Sequence, residues 1–204
     1  MSQKTFSGRL AIQQRVMPTY RAPFFDSLAQ SCTGGLGLFA GEPRPEEHIS
    51  TTDQLEWAVF TKARNIHFLN VQSSFYYCWQ QGLVSWLEKW QPDVLIAEAN
   101  PRYISTNKAV EWMHQRSRPV LGWGLGAPAI RGGLARWRQQ ARSRFIRQFD
   151  GMIAYSQRGA DEYAALGVPT ERIFIALNAV SPRPSQAYIE RPAFFSGRPV
   201  VLFV

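Results

Sequence analysis

The 204-residue chain predicts an α/β fold, a Rossmann-like, mainly parallel β-sheet with helices on both faces. Three observations carry that expectation. Apolar runs of strand length recur along the chain, Val94-Leu-Ile-Ala97 above all, and continuous runs of this kind mark strands covered on both faces. Segments with apolar residues at helical spacing lie between them. Prolines and glycines, such as Pro92, Gly167 and Pro169, punctuate the joins. Strands and helices alternating in this way build βαβ units, and sheets of that kind bind ligands beyond the carboxyl ends of their strands.

Taken in order, Arg9-Leu-Ala-Ile-Gln-Gln14 reads as a β-prone segment. A turn at Met17-Pro-Thr-Tyr20 and a helix over 21–29 follow, with Pro23 suited to the first helical turn. Strands are predicted over 34–40 and 66–71, joined by a polar stretch containing Pro43 and Pro45. Between Phe75 and Trp90, the residues Cys78, Leu83, Leu87 and Trp90, with Trp79 and Trp86, recur at helical spacing and predict one helix that ends before Pro92. A strand over 93–97, a helix over 104–116 with Ala109, Trp112 and Met113 on one face, and a strand over 119–123 come next. The helix predicted over 134–149 turns Leu134, Trp137, Ala141, Phe145 and Phe149 inward and its arginines outward. A strand over 152–155, a helix over 159–166 and a strand over 172–177 complete the pattern. Beyond them, 181–199 contains Pro182, Pro184, Pro192 and Pro199 with Ser185, Ser196 and Gly197, the composition of a linker. Val200-Val-Leu-Phe-Val204 then has the character of a buried strand, which either returns to the first sheet or opens a second domain.

Composition narrows the class. The chain is 45% hydrophobic and 19% charged, which excludes disorder and coiled coil. No run approaches the ~20 apolar residues of a membrane span, and Met1 to Gln14 holds no signal-peptide core, so a cytoplasmic protein is expected. Cys32 and Cys78 stand far apart without thiol or histidine partners at ligand spacing, which predicts reduced, partly buried thiols. The net charge of +8 is uneven. Residues 1–102 hold nine Lys/Arg against nine Asp/Glu, and 103–204 hold fourteen against six. Six arginines fall between Arg131 and Arg147 with no acid among them. Arg136, Arg138, Arg142, Arg144 and Arg147 form either a plain solvated face or a patch for phosphates or an anionic membrane. Nucleic acid is not expected, since none of its recognition signatures accompanies the charge.

Motifs add little alone. Gly122-Trp-Gly124-Leu-Gly126-Ala127 follows a strand and formally fits a dinucleotide fingerprint, but Pro128 and Gly132-Gly133 delay the helix, and the next strand ends in Tyr155-Ser156 without the acid that holds a ribose. The glycines permit close approach of a ligand to the backbone or serve a flexible turn. No serine-hydrolase elbow, Walker sequence or zinc-protease motif occurs, and His48, His67 and His114 are scattered. Glu98 closes the apolar run and precedes Asn100-Pro-Arg102 at the ligand edge of the sheet. Its carboxylate is placed to bond sugar hydroxyls or act as a base, or else to pair with Arg102 or cap the helix near Ile104.

The order of segments carries a resemblance. Phe149-Asp-Gly-Met-Ile-Ala-Tyr-Ser156, then Arg158 to Pro169 with its Leu-Gly-Val-Pro turn, then Glu171 to Val180, resembles the closing section of the amino-terminal domain of GT-B glycosyltransferases, particularly the retaining family 4 type. Tyr20-Arg-Ala-Pro-Phe-Phe25 is similar to their acceptor-side loop and first helix, and 200–204 to the first strand of their second domain. Leu125 stands where relatives often carry a histidine, and no glutamate pair has the seven-residue separation of the family's donor site. The resemblance implies an acceptor-binding domain over 1–180, an interdomain linker over 181–199, and in 200–204 the start of a nucleotide-sugar-binding domain that this sequence lacks. No cofactor is then expected on this domain, and a nucleotide-diphosphate sugar is the donor of the complete enzyme; the residues here are expected to be inactive alone. The acceptor wall implied is Arg15, Tyr20 and Arg21 after the first strand, Glu98, Asn100 and Arg102 after the 93–97 strand, Trp123, Gly124 and Gly126 in the glycine turn, and Ser156 with Arg158. Asn178 falls at the crossing between domains. The competing expectation is a free-standing α/β binding domain that docks on an anionic membrane or polyanion.

Overall fold

A computed structural model describes residues 5–70, 73, 75–130 and 132–177. The expected Asn178 crossing, the 181–199 linker and the 200–204 strand lie outside the described residues. The sheet runs β1 (Leu10–Val16), β2 (Leu36–Gly41), β3 (Val59–Lys62), β6 (Val94–Glu98), β7 (Val120–Gly124), β8 (Gly151–Ala154) and β9 (Ile173–Ile175), in the spatial order 3-2-1-6-7-8-9. Every neighbouring pair is parallel. A two-stranded antiparallel hairpin, β4 (Arg64–Phe68) and β5 (Tyr77–Gln81), is inserted after β3. The fold is thus the Rossmann-like α/β class that the sequence predicts.

Strand alternation sorts the core into two layers. Ala11, Phe39, Leu95, Ala97, Met152 and Ala154 face one side and pack with α2 (Leu83–Trp90), α3 (Ser105–His114), α4 (Ala135–Ile146) and α5 (Gln157–Ala165). Leu10, Ile12, Leu36, Leu38 and Trp123 face the other side, where Phe25 and Ala29 of α1 (Ala22–Gln30) cover them. Each fully buried aliphatic or aromatic side chain contributes about 1.5–3 kcal/mol, so the two layers fix which face each strand presents.

Two sequence expectations are corrected. The single helix over 75–90 is a strand followed by a helix. Along β5 burial alternates with period two, Cys78 and Gln80 inside and Tyr77, Trp79 and Gln81 outside, and Gly82 at φ +86 separates it from α2. The expected 66–71 strand is β4, which pairs with β5 and not with the main sheet. The second correction concerns α4. Leu134 and Trp137 are 63% and 67% exposed, since only the last turn of the helix, with Phe145 and Ile146, reaches the core. Nor are all its arginines outward. Arg138 and Arg142 are partly buried, and Arg142 donates to Pro128 O at 2.5 Å.

The glycine turn after β7 is shaped by helix packing. A Cβ on Gly124 would lie 2.6 Å from the Tyr163 hydroxyl, and one on Gly159, in the first turn of α5, would lie 2.6 Å from Leu125 O. Tyr163 also accepts the Gly126 N–H at 3.2 Å, and Gly126 stands at φ +120. These glycines therefore let α5 close on the turn. Gly159→Ala should lower stability by about 1–3 kcal/mol, because the overlap with fixed backbone outweighs the ~1 kcal/mol helix-propensity gain. Differential scanning calorimetry checks this, and a melting temperature at or above the wild type would show that the turn has room.

Candidate functional site

The strand order reverses between β1 and β6, from which crossovers run outward in opposite directions; this is the switch point where open parallel sheets leave a crevice. There the ladder opens. The parallel register of β1 with β6 ends at Gln13 and Ala97, and β1 is irregular between Gln14 and Val16. Side chains replace the lost backbone bonds. The Glu98 N–H donates to Gln13 Oε1 at 3.1 Å, and the Arg15 N–H donates to Glu98 Oε2 at 2.6 Å. Glu98 neither pairs with Arg102 nor caps α3, whose cap receives no side-chain bond.

Buried amides extend the arrangement into the hairpin. Gln13 Nε2 donates to Gln80 Oε1, and Gln80 Nε2 donates to Gln14 O and to Asn65 Oδ1, each at 3.0 Å. Asn65 Nδ2 in turn donates to Arg15 O at 2.8 Å. Gln13, Gln14 and Gln80 are buried, so each unmade bond would cost about 1–3 kcal/mol, and the network is closed. The Arg15 guanidinium forks onto Glu47 at 2.7 and 2.8 Å, with both side chains only 12% exposed. Burial works against the Glu47 charge, but the Arg15 bonds and the Arg44 N–H prevail and hold its carboxyl below the usual range.

Above this floor lies a cavity of about 540 Å³, walled by the ends of β6 and β7 and by the segments after β1 and β8. Of the sequence-predicted residues, Tyr20, Arg21, Glu98, Asn100, Arg102, Trp123, Gly124 and Gly126 line it. Three do not. Arg15 supplies its main-chain N–H to Glu98 and spends its side chain on Glu47; Ser156 caps α5 by accepting the Gly159 N–H at 3.1 Å; Arg158 points to solvent beside Glu162. Sequence reading missed Tyr155 and Tyr103 and placed Arg142 only in the basic patch of α4; all three line the cavity as well. The signal for Tyr155 is its place directly after β8, at the same sheet edge as Glu98.

Two features define the chemistry of the cavity. Burial pushes the Glu98 carboxyl above the ordinary glutamate range, against the Arg15 N–H and the Arg15 and Arg21 charges that favour its anion. A carboxyl so placed is suited to bind or exchange the proton of a hydroxyl. Arg21 is held by Gln14 Oε1 at 2.6 Å and the Tyr155 hydroxyl at 2.8 Å, between the rings of Tyr20, Trp123 and Tyr155, whose centroids lie 5.3 to 5.8 Å away. Arg21 Nε and Trp123 Nε1 are buried donors without a partner among the described residues, and Trp123 is only 8% exposed. Buried donors of this kind take an oxygen acceptor, from ordered water or from a ligand.

No protein-family model and no curated protein matches the chain. Solved structures do. A protein described as a UDP-N-acetylglucosamine 2-epimerase from Listeria monocytogenes matches with TM-score 0.51 and 10% identity over 85% of this chain and 45% of its own. The UDP-GlcNAc 2-epimerase from Neisseria meningitidis matches with TM-score 0.49 and 12% identity over 84% and 46%. A lipopolysaccharide outer core galactosyltransferase, WaaB, matches with TM-score 0.46 and 15% identity over 91% and 50%. The architecture is that of one half of the GT-B fold, as the resemblance implies. The chain spans about half the length of these structures. Among the described residues no helix is long and apolar enough to cross a membrane.

Proposed function

We propose that the chain is the acceptor-side half of a glycosyltransferase, retaining and family 4-like, which transfers a sugar from a nucleotide-diphosphate donor to a glycan, lipid-linked or small-molecule acceptor. The observation that supports it most is the switch-point cavity, in which a desolvated carboxyl, a ring-clamped arginine and two unpaired donors converge. Sugar hydroxyls both donate and accept, and sugar rings lie well on aromatic walls, so this mixture suits a saccharide better than a wholly apolar ligand. On this reading Glu98 orients the acceptor hydroxyl, Arg21 and Trp123 hold neighbouring oxygens, and Tyr20, Asn100 and Arg102 complete the acceptor wall. Gly124 and Gly126 shape it, with Arg15 as a positioning residue. The donor is held by residues outside 1–180, and positive groups there stabilise the departing diphosphate. The protein works in the cytoplasm, and the outward Arg136 of α4 suits it to the inner face of an anionic membrane.

The product of the complete reading frame, given a panel of nucleotide sugars and saccharide acceptors, should release nucleoside diphosphate. Glu98→Ala should slow that release at least ~10-fold, since general acid-base groups contribute 10²–10⁴-fold. No release with any donor and acceptor, or unchanged turnover in the variant, would overturn the reading.

A further inference from the structure

A second cavity, of about 300 Å³, opens beside the first and shares Pro101, Arg102 and Arg142 with it. Four arginines line it, Arg102, Arg138, Arg142 and Arg144, and no acidic residue does. None of the four forms an ion pair with a described acid. Arg142 is braced from behind by Pro128 O, which fixes its position at the wall between the two cavities. Burial and the neighbouring Arg138 and Arg102 charges draw its pKa down, as expected where cations converge without an anion, although Glu162 and Tyr163 act the other way. Arginines packed together repel one another, and their arrangement here is held by α4 and by the loop after β6. The exposed Trp137 and Tyr77 form an aromatic rim to the same cavity.

The geometry points to a binding subsite for a phosphate or diphosphate group joined to the sugar that occupies the first cavity. The guanidinium fork matches phosphate oxygens two at a time, and arginine is weakly hydrated, so it gives up water readily to such an anion. The two cavities adjoin at Pro101, Arg102 and Arg142, the first at the switch point and the second lined by four arginines at α4. The acceptor is therefore a phosphorylated saccharide and not a neutral one. This rests on the acceptor reading of the first cavity for the sugar part, but the anion-binding property of the second cavity stands apart from it. The anion comes either from a soluble phosphosugar or from a lipid-linked one presented at a membrane.

Isothermal titration of the 204-residue chain with glucose 1-phosphate, glucose and inorganic phosphate tests the subsite, with vesicles of phosphatidylglycerol in phosphatidylcholine as the membrane arm. Arg138 and Arg144 line the second cavity and not the first, so the variant Arg138→Gln/Arg144→Gln leaves the switch-point wall intact. Glucose 1-phosphate should bind at least ~10-fold more tightly than glucose, and the double variant should abolish that advantage while leaving glucose binding unchanged. Inorganic phosphate bound in the wild type and lost in the variant, with no glucose bound to either, would uphold the subsite and overturn the sugar reading of the first cavity. Vesicle binding lost in the variant, without a phosphosugar advantage, would support the same phosphate chemistry from a lipid headgroup. Equal affinity for glucose and its phosphate, with phosphate and vesicle binding unaffected in the variant, would overturn the proposal.

Discussion

Glu47→Gln should destabilise the protein by about 3 kcal/mol at neutral pH, the low end of the cost of stranding one partner of a buried ion pair, because both residues are part-buried. For a chain of this size that lowers the melting temperature by roughly 10 °C. The reason is that Arg15 has nowhere else to place its charge. Its fork lies on Glu47 with both side chains 12% exposed, and its main chain is fixed on one side by Asn65 and on the other by Glu98. The pH dependence has a definite sign. Glu47 has its carboxyl pKa lowered by folding, so its contribution is present above the unfolded carboxylate value and is lost as the pH falls through the folded one. The gap between wild type and Glu47→Gln should therefore close in acid. The double replacement Arg15→Met/Glu47→Leu should cost less than Glu47→Gln alone, because no charge is left unpaired. Thermal melts of the three proteins between pH 3 and pH 8 check this, and a single variant within ~1 kcal/mol of wild type would show that Arg15 finds solvent.

The parts of the fold that were legible in the sequence are those where one physical constraint acts alone. Val94 to Glu98 reads as a strand because a parallel strand buried on both faces permits few polar residues, and Leu10 to Val16 reads likewise until Gln13. The hairpin did not read, because Cys78, Leu83, Leu87 and Trp90 fit a helical period by coincidence of a strand and a following helix; only Gly82, with its positive φ, marks the break. The inward face of α4 was misjudged because amphipathic spacing says which residues share a side but not how far the helix overhangs the core. The site was legible to the extent that it follows topology. Glu98 and Trp123 fall at strand ends, Arg21 comes in from the start of α1 to meet them, and Tyr155 follows the strand-end rule one strand further on. Gln13, Gln14 and Gln80 were passed over, although two consecutive glutamines at the end of a buried strand are the kind of local inconsistency that marks a functional site. Arg142 was legible only as one of the arginines of the basic patch, since the bond that holds it at the cavity runs to a backbone carbonyl fourteen residues away and leaves no local signal.

Glu98→Gln should raise thermal stability at pH 8. The glutamine Oε1 accepts the Arg15 N–H as the carboxylate does, so the floor of the cavity survives. What disappears is the cost of holding a charge out of water. Folding raises the Glu98 pKa, so between the unfolded and folded values the native state binds the extra proton, and stability falls as the pH rises through that window. Below both values the wild type carries a neutral acid and should match the variant. Above them it carries the full penalty, and the variant should be more stable by ~1 kcal/mol, the usual scale of single stabilising replacements. Glu98 is embedded among Gln13, Arg15 and Arg21, so the pH dependence of its stability separates the cost of burial from the gain of those bonds. Melting curves of both proteins from pH 4 to pH 8 decide the matter. A variant less stable than wild type throughout would mean that the Arg15 and Arg21 charges outweigh burial, and Glu98 would then be a structural anion.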